Sequence, residues 1–97
     1  VTAVEEAEVL AQRELGLSPS EAKACVSVAV EIRVLFAEEV ADVLLNGNLH
    51  ALVDLLEPEE FQRWVDGTTA SRMRVVAAKA VRMLAAGTLP ENARVKP

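Results

Sequence analysis

Apolar residues recur at helical spacing through most of the chain. Val4, Ala7, Leu10, Ala11 and Leu15 fall on one side of a helix behind Thr2 and Glu5, which match a capping box, and Gly16 closes the run. Ser18-Pro19-Ser20-Glu21 is the clearest start signal: Ser18 caps, Pro19 has the φ that a first helical residue needs, and Glu21 sits where it can reach back. No Gly or Pro follows before Asn46-Gly47. The pattern therefore predicts a central helix over residues 20–46, about 40 Å long at 1.5 Å per residue. A globule of this chain length is only about 32 Å across. The helix is thus either broken, near Leu35-Phe36, or projects and is covered by another chain.

Beyond Gly47 the elements shorten. Asn48 caps a helix through Leu56, and Pro58 opens another to Val65 in which Phe61 and Trp64 share a face. Asp66-Gly67-Thr68 breaks the chain, and Thr68 or Thr69 starts a last helix that runs to Ala86, with Gly87 as terminator and Pro90 beyond it. Met73, Val76, Ala77, Ala80, Met83 and Leu84 form its core stripe; Arg72, Lys79 and Arg82 lie beside the stripe and Arg74 points away. A strand could compete only at Val26, Val28, Val30 and Ile32, but that alternation sits between a capping box and an acidic helical stretch. Residues 32–49 echo residues 72–89, each an apolar helix ending in Gly-x-Leu, and shared terminator chemistry accounts for the echo. The expectation is an all-α bundle of four to five helices in a single domain over 1–87, followed by a flexible basic tail, 88–97.

Composition supports this and removes other classes. The 97 residues are 52% apolar and 26% charged, which places the chain among folding rather than disordered sequences. Only 3% are aromatic, so Val, Ala and Leu must fill the interior. One Cys excludes an internal disulfide and fits a reducing compartment. No stretch reaches the length of a membrane span, and Glu5, Glu6 and Glu8 stand where a signal peptide is basic, so a cytoplasmic protein without membrane contact is expected. Val1 in place of Met points to a trimmed chain, a fragment or a GTG start, and seven Arg to three Lys fits a GC-rich bacterial or phage genome.

Charge is unevenly divided. Residues 1–60 hold thirteen Asp/Glu and three Lys/Arg, whereas residues 61–97 hold two and seven, which together give the net −5. Either the halves neutralise each other across the fold, the favoured reading, or a basic face is kept for an acidic partner. The candidates for such a face are Arg72, Arg74, Lys79 and Arg82 on the last helix with Arg94 and Lys96 in the tail. Residues 58–86 have the outline of a helix-turn-helix, but Gln62, Arg63 and Asp66 fall where that motif needs small or apolar residues.

Glu31, Glu38 and Asp42 fall on one side of the predicted central helix, with Glu21 and Glu39 at its edge, and Glu38 and Asp42 are four apart as a shared hard cation requires. Glu38-Glu39-Val40-Ala41-Asp42 resembles the second metal motif of the all-α nucleoside triphosphate pyrophosphatases, and Glu5-Glu6-Ala7-Glu8 would stand in for their first. That resemblance implies Glu38, Glu39 and Asp42 as metal ligands; the gap between the motifs is long, the first lacks the full Glu-Glu-x-x-Glu pattern, and a solvated acidic face is the simpler reading. Cys25 and His50 are the single thiol and imidazole, and a nucleophile pair would need them to meet in space. No phosphate loop, zinc spacing or nucleophile elbow occurs, so no cofactor and no conventional catalysis are expected.

Residues 8–51 resemble part of the actinobacterial "thirteen-E-twelve" helical repeat domain, a family of unknown function that often precedes HNH endonuclease motifs. The matching words are Glu8-Val9-Leu10-Ala11, Leu15-Gly16-Leu17-Ser18-Pro19-Ser20-Glu21-Ala22, Ala29, Leu35 and Val40-Ala41-Asp42-Val43-Leu44-Leu45-Asn46-Gly47-Asn48-Leu49. Phe36 stands where the family usually has Pro. The resemblance implies an accessory module of DNA-processing proteins, and one His cannot make an HNH site. The sequence thus favours a non-catalytic binding or regulatory module whose partner is another protein, with a second copy of the chain preferred because the central helix is apolar on most sides. The alternatives are a DNA-binding protein using the basic last helix and a metal-dependent pyrophosphatase-like protein.

Overall fold

A computed structural model describes residues 2–56, 59 and 70–90. Among these residues there are five helices and no strand: α1 (Ala3–Leu15), α2 (Pro19–Leu35), α3 (Ala37–Asn46), α4 (Leu49–Asp54) and α5 (Ala70–Ala86). The all-α architecture is as the hydrophobic spacing predicts. The helix expected over 58–65, with Phe61 and Trp64, lies outside the described residues.

The predicted punctuation is in place. Thr2 Oγ1 accepts from the Glu5 amide at 3.1 Å, capping α1, although Glu5 does not return the bond that a full capping box has. Ser18 and Glu21 do form the reciprocal box: the Glu21 amide donates to Ser18 Oγ, and the Ser18 amide donates to Glu21 Oε1. Asn48 accepts from Ala51 to cap α4. After α5 the chain turns at Gly87 with φ +72, its amide donating to Leu84 and the Thr88 amide to Met83, the paired bonds of a Schellman motif.

α2 is the interior rod. Ala22, Ala24, Cys25, Val26, Val28, Ala29, Val30 and Ile32 are all buried, so both the 3.6-residue stripe and its flanks face protein. Its largest interface is with α5, followed by α1, and α3 folds back against both α2 and α5. The core stripe of α5 is buried as expected, with Val81 added to it. Ala7 and Ala11 supply the inward side of α1, and Ala77 and Ala80 that of α5. These small side chains let the helices approach closely around a core with no described aromatic except half-buried Phe36.

Of the two possibilities for residues 20–46, the structure takes the broken one, so the long central helix is in fact two. Phe36 adopts φ −126, ψ 45; its amide still donates to Ile32 and its carbonyl accepts from Val40, so it ends α2 and begins α3 at once. The cause is global rather than local. The molecule measures 31 × 28 × 28 Å with a radius of gyration of 12.1 Å, and a straight rod of about 40 Å would carry Val40 and Val43 past the bundle into water. Bending returns both to the core, where they are buried. Beyond Gly87, Leu89 is only 6% exposed, and Arg33 Nη1 donates to the Pro90 carbonyl at 2.8 Å, which ties the first residues of the expected tail to α2. Residues 91–97 lie outside the described ones.

These burial differences predict unequal costs. Ile32→Ala, at a fully enclosed position, is expected to lower unfolding free energy by about 2–5 kcal/mol. Leu45→Ala, at an open position, should stay within about 0.5 kcal/mol. Urea denaturation followed by circular dichroism measures both.

Candidate functional site

Of the cations expected to form a basic face, Arg72, Arg74 and Lys79 have partners within the protein. Arg72 pairs with Glu21 at the start of α2. Arg74 Nη1 reaches Asp54 Oδ1 at 3.2 Å and the Val53 carbonyl at 3.3 Å, joining α5 to the end of α4. Lys79 Nζ donates to the Leu15 carbonyl at 3.1 Å, placing a positive charge at the carboxyl end of the α1 dipole. Arg82 is exposed on the same helix, whereas Arg94 and Lys96 lie outside the described residues. The acidic and basic halves of the sequence are thus stitched together across the fold, each exposed pair contributing about 0–1 kcal/mol.

The carboxylates behave differently. The break at Phe36 separates the acidic side predicted for one long helix: Glu21 and Glu31 stay on α2, while Glu38, Glu39 and Asp42 are carried off on α3. Among the described residues no group of three or more His, Cys, Asp or Glu side chains is arranged to hold a metal ion. Glu5, Glu6 and Glu8 sit on α1, which packs on α2, whereas α3 packs on α2, α4 and α5. The two motifs of the pyrophosphatase resemblance are therefore not brought together. Glu38 and Glu39 have a structural use, since they occupy the first turn of a helix whose N-cap, Phe36, offers no side-chain acceptor.

Cys25 and His50 do not meet. Cys25 is enclosed in α2, and His50 is exposed in the first turn of α4. Burial pushes the Cys25 thiol up to about 11, with the Lys79 charge opposing that rise, so it is protonated and unreactive near neutrality.

The feature that sequence reasoning did not single out is the outer side of α3. Around this helix the residues fall into three strips at about 100° per residue. Val40 and Val43 face the core. Ala37, Ala41, Leu44 and Leu45 form an apolar strip that is open to solvent, with Leu44 54% and Leu45 82% exposed. Glu38, Asp42 and Asn46 form an acidic and polar strip beside it. Val34 and Leu35, 68% and 58% exposed, lie immediately before the bend. On the far side of the acidic strip a groove of about 350 Å³ runs between α3 and α4, with Val43, Leu52 and Leu55 as its apolar lining and Glu39, Asp42, Asn46 and Asn48 as its polar lining. The available signal was the adjacent Leu44-Leu45 pair, because neighbours about 100° apart cannot both face one core.

No protein-family model matches the chain, and neither a curated protein nor a solved structure is significantly similar to it. Among the described residues no helix is long and apolar enough to cross a membrane.

The buried thiol gives a direct check on this geometry. At pH 8 a thiol-specific disulfide reagent should modify Cys25 more than about a hundredfold slower in the native protein than in urea. Because the folded-state value is raised to about 11, the burial of the neutral thiol stabilises the fold fully at pH 8, and that contribution declines as pH rises from about 9 through 11. Rapid native modification would mean that α2 is not enclosed.

Proposed function

We propose that the chain is a non-catalytic helical association module that engages a protein partner through the outer side of α3. The observation that carries this reading is the solvent exposure of Leu44 and Leu45 on a helix whose inward side buries Val40 and Val43. Two leucines, with Ala37 and Ala41 between them and the bend, offer an apolar strip of the kind that helix-in-groove recognition covers. The engagement of Arg72, Arg74 and Lys79 within the fold weighs against a basic face kept free for nucleic acid. The separation of the acidic segments on α1 and α3 likewise leaves a pyrophosphatase centre without support. The resemblance of residues 8–51 to the "thirteen-E-twelve" domain adds a setting: a cytoplasmic accessory to the DNA-processing machinery of an actinobacterium or its phage.

Selection of short displayed peptides on the immobilised chain tests the proposal. Enriched sequences are expected to lose at least about tenfold in affinity toward the Leu44→Ser/Leu45→Ser variant. Enrichment indifferent to both leucines would overturn it. So would salt-sensitive binding of duplex DNA that disappears when Arg72, Arg74 and Lys79 are changed to Ala, or magnesium-dependent release of pyrophosphate from nucleotides that is lost in Asp42→Ala.

A further inference from the structure

We propose that the partner presents a cationic amphipathic helix along the outer side of α3, with Lys or Arg side chains set against Glu38 and Asp42 beside the apolar strip. This deepens the association reading above and rests on it. The apolar strip of Ala37, Ala41, Leu44 and Leu45 supplies the seat for the partner's apolar side. What distinguishes one amphipathic helix from another is then the charge that flanks this strip.

That charge is negative and unmatched within the fold. Glu21 and Asp54 have Arg72 and Arg74 as partners, but the side chains of Glu38, Glu39 and Asp42 make no ion pair or hydrogen bond among the described residues. α3 contains no Lys or Arg at all, and neither α3 nor α4 has a basic residue in its last turn. The carboxyl end of α3, where Asn46 lines the groove, therefore adds the negative end of a helix dipole to the two carboxylates that line it, Glu39 and Asp42. The preference of α3's first turn for acid explains Glu38 and Glu39 but not Asp42, which lies further along the helix on the shared edge of strip and groove.

Glu38 and Asp42 border the apolar strip on one side, within reach of Lys or Arg side chains that flank the apolar side of a helix laid on it. A second copy of the chain meets this surface poorly. α3 carries no Lys or Arg, so pairing it with another α3 offers its carboxylates no opposite charge; the cations exposed among the described residues, Arg13, Lys23, Arg72, Arg74 and Arg82, lie on α1, α2 and α5, and Arg72 and Arg74 are already paired with Glu21 and Asp54. Phosphate backbones would be repelled by the same carboxylates.

The experiment titrates the full chain with two amphipathic helical peptides of identical pattern, one built of Leu and Lys and one of Leu and Glu. It uses two charge-matched variants, Glu38→Gln/Glu39→Gln/Asp42→Asn at the proposed surface and Glu5→Gln/Glu6→Gln/Glu14→Gln on α1. The Leu/Lys peptide should bind, should lose at least about tenfold in affinity to the α3 triple and to Leu45→Ser, and should lose less than about threefold to the α1 triple. Asp42→Asn alone, which leaves the first turn of α3 intact, should weaken binding in the same direction, and circular dichroism confirms that each variant stays folded. Failure of the Leu/Lys peptide to bind, equal losses in the two triples, or equal binding of the Leu/Glu peptide overturns the proposal. Leu45-dependent binding of the Leu/Glu peptide would overturn the cationic partner while keeping the association reading; binding of neither peptide in a Leu45-dependent way would remove both. Light scattering that gives twice the 10.4 kDa chain mass, reverting to one chain in Leu45→Ser, would identify a second copy as the occupant and overturn the proposal as well.

Discussion

The burial of α2 on all but one narrow side is the constraint from which the other features follow. A helix so nearly surrounded by protein needs apolar or small residues round most of its circumference, and α2 meets this with alanine, valine, one cysteine and one isoleucine, leaving Ser20, Lys23 and Val34 on its open side. Close helix approach then replaces the bulk that aromatic side chains supply in other cores, because Ala7 and Ala11 of α1 and Ala77 and Ala80 of α5 leave little between the backbones. In such an interior even one methylene is felt, so stability is concentrated in α2 and its two largest interfaces.

The same enclosure limits how far the rod can run. Once α1 and α5 have covered α2, a straight continuation would leave their protection, and the chain bends at Phe36 to bring Val40 and Val43 back. Bending recovers one side of α3 only. The apolar residues of this stretch are spread round more of the helix than a single bundle can cover, so Leu44 and Leu45 remain outside. Their exposure is the remainder of a packing problem with a size limit, which is why it sits at the end of the longest stretch without Gly or Pro in the sequence.

What the sequence discloses and what it conceals divide along this line. Helix ends depend on neighbours within a turn, and Thr2, Ser18, Asn48, Gly16, Gly47 and Gly87 each act where spacing and residue type place them. The core stripe of α5 was readable for the same reason. The bend has no local marker, since neither Gly nor Pro occurs there; only the comparison of helix length with globule diameter exposed it. The docking of Leu89 and Pro90, the reach of Lys79 to the Leu15 carbonyl and the groove between α3 and α4 join residues far apart in the chain, and no periodicity encodes them. On the last helix, charge counting raised both internal neutralisation and a basic face, and it could not name Glu21 and Asp54 as the partners of Arg72 and Arg74, which are far away in the chain.

Charge placement completes the argument from packing to recognition. The net charge of −5 is not spread evenly once the internal pairs are drawn. Arg72 and Arg74 engage acidic partners on α2 and at the end of α4, and Lys79 is committed to a helix end, so cross-fold pairing engages more cations than carboxylates among the described residues. Beside the uncovered leucines, the carboxylates of α3 are left with solvent as their counterpart. An apolar strip alone would accept many amphipathic helices, because the hydrophobic effect has no direction. The unmatched acid next to it provides the discrimination, through the cost of opposing a like charge and the gain of receiving an opposite one. Folding this chain therefore leaves, on the part of α3 that the bundle does not cover, an apolar strip bordered by acid.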